Sequence, residues 1–388
     1  MKKSSKLYTV ILGLLFIVLC LFEANSMIFM VYANFSPILA VLRAIIVLLA
    51  IYVFSRSPIL YKNTLLKCFL FWTIYCWIFC LIGLGGEEKS AVFRIVIFEA
   101  VYFVVFYSTL MSEKSNVIIE LGITSLLLIA CYYLLQNSLY VEFLFGREFT
   151  ITNLVFWPLC CVPGIFLIRN NVWRYLLLFI AIIACIFGMK RSALISIFLI
   201  IFVFLIHEFI GKNKPFKTKF ILLIAGGIGV YVIQHYFSDF IELNLDRISA
   251  IESDRGSGRD HVWKDSLNAI ENGNILEIIF GSGVDSTWAR AHHTTSHNDF
   301  LTLFIEFGLV GVILYFIFWI HIIKLYLFTR KRTPEYVMSV IASIVILLVV
   351  GSVGDLFTSY AYFPFITAVL GYVDAKCISL RRNYLCKN

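Results

Sequence analysis

The run His292-His293-Thr294-Thr295-Ser296-His297-Asn298-Asp299 sets three imidazoles, an amide and a carboxylate at the mouth of a long apolar segment, Phe300 to Phe318. An imidazole titrates near neutrality, so His297 could take a proton from a hydroxyl nucleophile, a contribution of ~10²–10⁴ in rate. Asn298 and Asp299 could orient that ring or bind a sugar hydroxyl. The same residues also have a purely structural use, with Asn298 as N-cap of the apolar helix behind a hydrated loop. Metal binding is a third option, because His293 and His297 stand four apart and would share a helix face, with His292 or Asp299 as a further ligand. The Thr-Thr-Ser interval favours a loop instead, no cysteine is near, and His207-Glu208 lacks the second histidine of HExxH. Gly281-Ser282-Gly283 is too short for a dinucleotide fingerprint and reads as a tight turn.

Arginines form the second group. Arg191 stands at the start of an apolar run where it could either snorkel to headgroups or hold phosphate with its planar fork of donors, aided by a helix N-terminus. Arg259 has the same two advantages at the start of a short helix inside the large polar loop. Arg247 and Arg255 could bind an anion or simply pair with Asp246, Glu252 or Asp254. Arg94 and Glu99 lie in one span, and charges inside a membrane are functional suspects by default. Asp355 could face the same cavity as His297 or be a solvated loop carboxylate.

These groups need a scaffold, and the composition specifies its class. Of 388 residues, 61% are hydrophobic and 14% charged, with a mean hydropathy of +0.90. Soluble domains run near ~45–50% apolar and ~25% charged, so the expectation is an all-α polytopic membrane protein. Apolar runs of spanning length fall at about 7–22, 37–55, 65–84, 91–110, 117–135, 151–168, 172–188, 191–210, 219–237, 300–323, 336–351 and 357–374, about twelve transmembrane helices in all. The chain therefore divides into spans 1–9 over residues 1–237, one large loop over 238–299, and spans 10–12 with a tail over 300–388.

The net charge of +8 does not imply nucleic acid, because the cations lie in short segments between apolar runs. With both termini cytoplasmic, 21 of the 32 Lys and Arg fall inside, which leaves the 238–299 loop outside. That loop holds eleven acidic and five basic residues, so an arginine there binds an anion only at a preorganised place. Lys190-Arg191 sits in a short outer turn, against the charge rule. Inside the loop Ser257 and Asp260 have capping-box spacing, and Val262, Trp263, Leu267 and Ile270 mark one stripe of a short amphipathic helix expected along the bilayer surface. The ten cysteines avoid this loop and fit reduced, small hydrophobes. The N-terminal basic and apolar stretch lacks a convincing cleavage site and reads as a retained first span.

His297-Asn298, nine residues, Gly308, two residues, Gly311 resembles the histidine signature of the bacterial O-antigen polymerase (Wzy-type) and O-antigen ligase superfamily. Lys190-Arg191-Ser192-Ala193-Leu194 is similar to that family's outer arginine segment, and Ser257-Gly258-Arg259 with Trp263 to the element opening its large periplasmic loop. Arg247, ten residues, Gly258 fits a looser polymerase spacing. The resemblance covers about residues 185–375.

The resemblance implies metal-independent, cofactor-free glycosyl transfer from an undecaprenyl-diphosphate-linked oligosaccharide at the periplasmic face of the bacterial inner membrane. His297, Arg191 and Arg259 would be catalytic; Arg255, Arg247, Asn298, Asp299 and Asp355 would bind substrate. Implied partners are the lipid-linked oligosaccharide, membrane lipid and a chain-length regulator protein. Asp299-Phe300-Leu301 and the Arg247 spacing favour a polymerase over a ligase acting on lipid A–core. A flippase of lipid-linked sugar is the reading from another class; against it stand the missing internal repeat and the concentration of polar chemistry in one loop.

Overall fold

The computed structural model describes residues 2–32, 37–56, 63–82, 91–145, 152–210, 255–290, 295–357, 359 and 361–385, with isolated positions between 227 and 249. All regular elements among the described residues are helical. They are α1 (Lys2–Tyr32), α2 (Pro37–Arg56), α3 (Thr64–Ile82), α4 (Ala91–Met111), α5 (Ser115–Phe145), α6 (Phe156–Ile165), α7 (Asn171–Phe187) and α8 (Arg191–Ile210). After the 211–254 interval come α9 (Arg255–Glu271), α10 (Ile275–Phe280), α11 (Ser286–Arg290), α12 (Asp299–Arg332), α13 (Val337–Val353) and α14 (Phe363–Leu385).

Seven of these helices are long and apolar enough to cross a membrane, and four shorter apolar helices lie among them. Together they coincide with eleven of the twelve expected spans; the 219–237 span lies outside the described residues. The protein is an all-α, multi-pass membrane protein.

Three segments differ from the expected spans. Residues 151–168 do not make one continuous helix: a 3-10 turn over Asn153–Val155 leads into the ten-residue α6, which contains Pro163. Trp157 to Ile165 are all buried, because α5, α7, α13 and α14 pack around this helix. The span expected from 357 begins only at Phe363, since Pro364 suits a first helical turn and disfavours helix before it. The freed stretch 354–362 carries Asp355. Finally, the loop holds three helices, α9 to α11, where one was expected, and α9 starts at Arg255 instead of being capped at Ser257.

Two neighbouring interior clusters hold the middle of the bundle. Phe357 stacks at 4.7 Å on Phe363, 5.0 Å from Phe318 and 5.2 Å from Trp72, joining α3, α12 and α14 to the 354–362 stretch. Aromatic pairs at these separations add ≈ 0.5–1.5 kcal/mol each beyond area burial. About one turn along α12 from Phe318, Asp374 accepts from Tyr102 Oη at 2.6 Å and pairs with His321 Nε2 at 2.7 Å. Asn63 donates to Tyr102 and caps α3 through its other side-chain atom. This buried polar cluster ties α3, α4, α12 and α14 in one register. The cysteines among the described residues are free thiols.

Candidate active site

The start of α12 is built from its own polar residues. Asn298 has extended backbone, and its side-chain oxygen accepts from the N–H groups of Phe300 (3.0 Å) and Leu301 (3.2 Å), an N-cap. Its amide nitrogen donates to Ser352 C=O at 3.0 Å. Asp299 is buried: its Oδ1 accepts from Phe357 N–H at 2.8 Å, while its Oδ2 lies where a side chain at position 351 would be, so only Gly351 leaves room. Both residues, read from the sequence as a helix cap or as sugar ligands, hold the 352–357 stretch against the head of α12.

That arrangement brings Asp355 to His297. Asp355 Oδ1 accepts from Thr302 Oγ1 at 2.6 Å and from Ser296 Oγ at 3.4 Å, and the Ser296 and Thr302 hydroxyls bond each other. Its Oδ2 then faces Nδ1 of His297 at 3.8 Å. The imidazole is half-exposed, with Thr295 Oγ1 3.3 Å from Nδ1. Partial burial pushes the His297 pKa below its ordinary value; Asp355 pulls it up, and Arg259 and Lys190 push it down. The net direction is downward, which favours the neutral ring that a general base requires.

Arg259 and Lys190 are the cations that act electrostatically on His297. Arg259 follows Gly258, whose φ of 78° turns the chain into the regular part of α9. Lys190 is the last residue before α8, its carbonyl accepting from Leu194 N–H at 3.0 Å, and Arg191 is the first helical residue. The Nε of Arg191 is shielded from solvent. Lys190, not named from the sequence as a site residue, thus acts on His297 as well. Arg255 opens α9; its side chain, and Arg247, His292, His293 and Thr294, lie outside the described residues. Among the described residues no three His, Cys, Asp or Glu side chains converge to hold a metal ion.

Backbone strain marks the same place. The non-glycine residues with left-handed φ among the described residues are Met189 (50°), Asp285 (65°) and His297 (49°). Met189 precedes the Lys190-Arg191 pair, and Asp285 lies beside α11. Such conformations cost ~1–3 kcal/mol each and collect where surrounding structure holds functional groups in place.

A second feature was not read from the sequence. Helix α12 is broken at Gly308, with φ 60° and ψ −156°, a conformation open essentially to glycine alone. The Gly281-Ser282-Gly283 turn docks there: Ser282 N–H donates to Ile305 C=O at 2.9 Å, and Gly283 N–H to Glu306 C=O at 3.0 Å. A Cβ on Gly281 or Gly308 would strike the facing backbone. Tyr75 Oη donates to Phe280 C=O at 2.7 Å and lies 3.4 Å from Phe307 C=O. Glu306, buried, accepts from Thr287 Oγ1 at 3.1 Å. In the preceding helix, Glu277 closes a capping box with Asn274 and pairs with Arg290. Those bonds outweigh its desolvation and hold its carboxyl below the usual range.

Residues 176–316 match the family model described as O-antigen ligase. No curated protein matches the chain. The matched segment runs from α7 into α12 and takes in Lys190, Arg191, Arg259, His297, Glu306, Gly308 and Gly311. Across that segment, which holds most of the site just described, the chain is similar to the O-antigen ligase family, and the match supports a place in the O-antigen polymerase and ligase superfamily.

Proposed function

We propose that the protein is an O-antigen polymerase, joining undecaprenyl-diphosphate-linked oligosaccharide repeats at the periplasmic face of the bacterial inner membrane, with both termini cytoplasmic. The observation that carries the reading is the placement of Asp355 Oδ2 3.8 Å from Nδ1 of the half-exposed His297, with Arg259 and Lys190 acting on the same ring. The distribution of Lys and Arg supports the orientation.

The reaction needs a base and a cationic seat for a leaving group. Asp355 favours the proton on Nδ1, which leaves Nε2 of His297 to take the proton of the acceptor sugar hydroxyl. The acceptor oxygen bonds to the anomeric carbon as the bond from that carbon to the diphosphate oxygen breaks. The lipid diphosphate leaves with the electron pair, and Arg191 and Arg259 neutralise its charge. Both guanidinium groups are partly withdrawn from water, where a fixed cation acts more strongly than in solvent. This is charge neutralisation by the protein, with no divalent ion called for. Asn298 and Asp299 shape the site without touching the sugar.

The second reading is an O-antigen ligase, favoured by the description of the matching family model. The two differ only in acceptor: another lipid-linked repeat, or lipid A–core. Purified protein given the lipid-linked repeat and EDTA is expected to build a ladder of longer chains. Absence of any chain longer than the starting repeat would contradict polymerase activity. Deletion in the cell separates the readings, because loss of a polymerase leaves single repeats on core and loss of a ligase leaves none.

A further inference from the structure

We infer that Glu306 and Thr287 are positioning residues that set Arg259 against His297, by seating residues 275–290 in the break of α12. This rests on the roles given above to His297 and Arg259.

A helix broken at Gly308 leaves the carbonyls of Ile305, Glu306 and Phe307 without their usual donors one turn ahead. In an apolar surrounding, such orphaned groups must find other partners. Ser282 N–H and Gly283 N–H serve the first two, and Tyr75 Oη approaches the third. These backbone bonds alone do not select a register, because any residue carries the same donor. The side-chain bond from Thr287 to Glu306 does, since it joins two particular residues in a buried place. Burying a carboxyl is costly unless it is bonded, so an apolar pair would be the cheaper filler if packing were all that mattered.

The geometry then runs outward in two directions from Glu306. Along α12, Glu306 lies in the last turn of the half-helix 299–307, whose capped start fixes His297. Across the loop, Thr287 lies in α11, and α9, which carries Arg259, packs against both α11 and α12. Both partners of the site are therefore referenced to the same buried bond. The left-handed Asp285, two residues before Thr287, makes the turn that delivers it.

Removing the donor should loosen Arg259 from His297. The charged groups acting on His297 are Asp355, which raises its pKa, and Arg259 and Lys190, which lower it. With Arg259 displaced, the His297 pKa rises, so the acid limb of the pH–rate profile moves to higher pH.

The test uses the purified full-length protein and lipid-linked repeat, comparing Thr287→Val with Thr287→Ser. We expect Thr287→Val to lose at least about tenfold in elongation rate (~1.4 kcal/mol) and to shift the acid limb upward, with Thr287→Ser restoring both. In an Arg259→Ala background, Thr287→Val should add little. Thr287→Ala serves if the valine variant does not fold. Wild-type rate and profile in Thr287→Val would overturn the inference, as would a rate loss with an unmoved acid limb that adds fully to Arg259→Ala. An active His297→Ala protein is a different failure: it removes the base, and this inference with it.

Discussion

Oδ2 of Asp355 lies 3.8 Å from Nδ1 of His297, although one sits beyond the end of α13 and the other just ahead of α12. The gap is wider than a hydrogen bond, so in this state the carboxylate acts through its charge, and a closer approach would fix the tautomer. Replacing Asp355 by Asn removes the influence that raises the His297 pKa. The acid limb of the pH–rate profile should then move to lower pH, because the ring stays neutral further down. The rate at its optimum should fall about tenfold, ~1.4 kcal/mol of transition-state stabilisation. A pH–rate profile of elongation by Asp355→Asn checks both.

Arg259 pushes in the opposite direction. Arg259→Ala should move the acid limb to higher pH and, through loss of a preorganised donor, reduce the rate by ~10²–10³. Arg191→Ala should cost a similar factor. Arg191→Lys keeps the charge but loses the planar fork, and is expected to recover only part of the rate. Elongation rates of the three purified variants decide this.

Asn298 tests the distinction between a cap and a sugar ligand. Asn298→Ala removes two accepted N–H bonds and the bond to Ser352, so the helix start should lose ~1 kcal/mol and the melting temperature in detergent should fall. Asn298→Ser, which can still cap, should keep most of the melting temperature.

Gly308→Ala should be more damaging than its size suggests. The position needs a backbone conformation that only glycine adopts readily, at ~1–3 kcal/mol for other residues, and a Cβ there would meet Gly281 and Ile279. The expected result is inserted protein with elongation lost and faster protease cleavage in the 275–290 segment, read by limited proteolysis.

Much of this architecture is legible in the chain, because spanning helices are specified by local apolar runs. The histidine signature marked His297, and the capping-box spacing of Ser257 and Asp260 marked a helix around Arg259, although that helix starts two residues earlier, at Arg255. What stayed hidden depends on contacts between distant segments. Asp355 could be read from the sequence as facing the cavity of His297 or as a solvated loop carboxylate, but its pairing with that ring appears only when the stretch before Pro364 folds back onto Asp299. Glu306 and Gly308 look like interruptions in an apolar helix, since nothing local says that Gly281 and Thr287 dock there. Asn298 and Asp299 were ambiguous for another reason: a cap and a sugar ligand use the same atoms, and the bonds to Phe300, Leu301, Ser352 and Phe357 become visible only in the fold.

The most direct measurement is the rate at which purified His297→Ala protein, shown to be folded and inserted, extends the lipid-linked repeat beside wild type. A general base at this position predicts a fall of ~10²–10⁴. Extension at the wild-type rate would contradict the account.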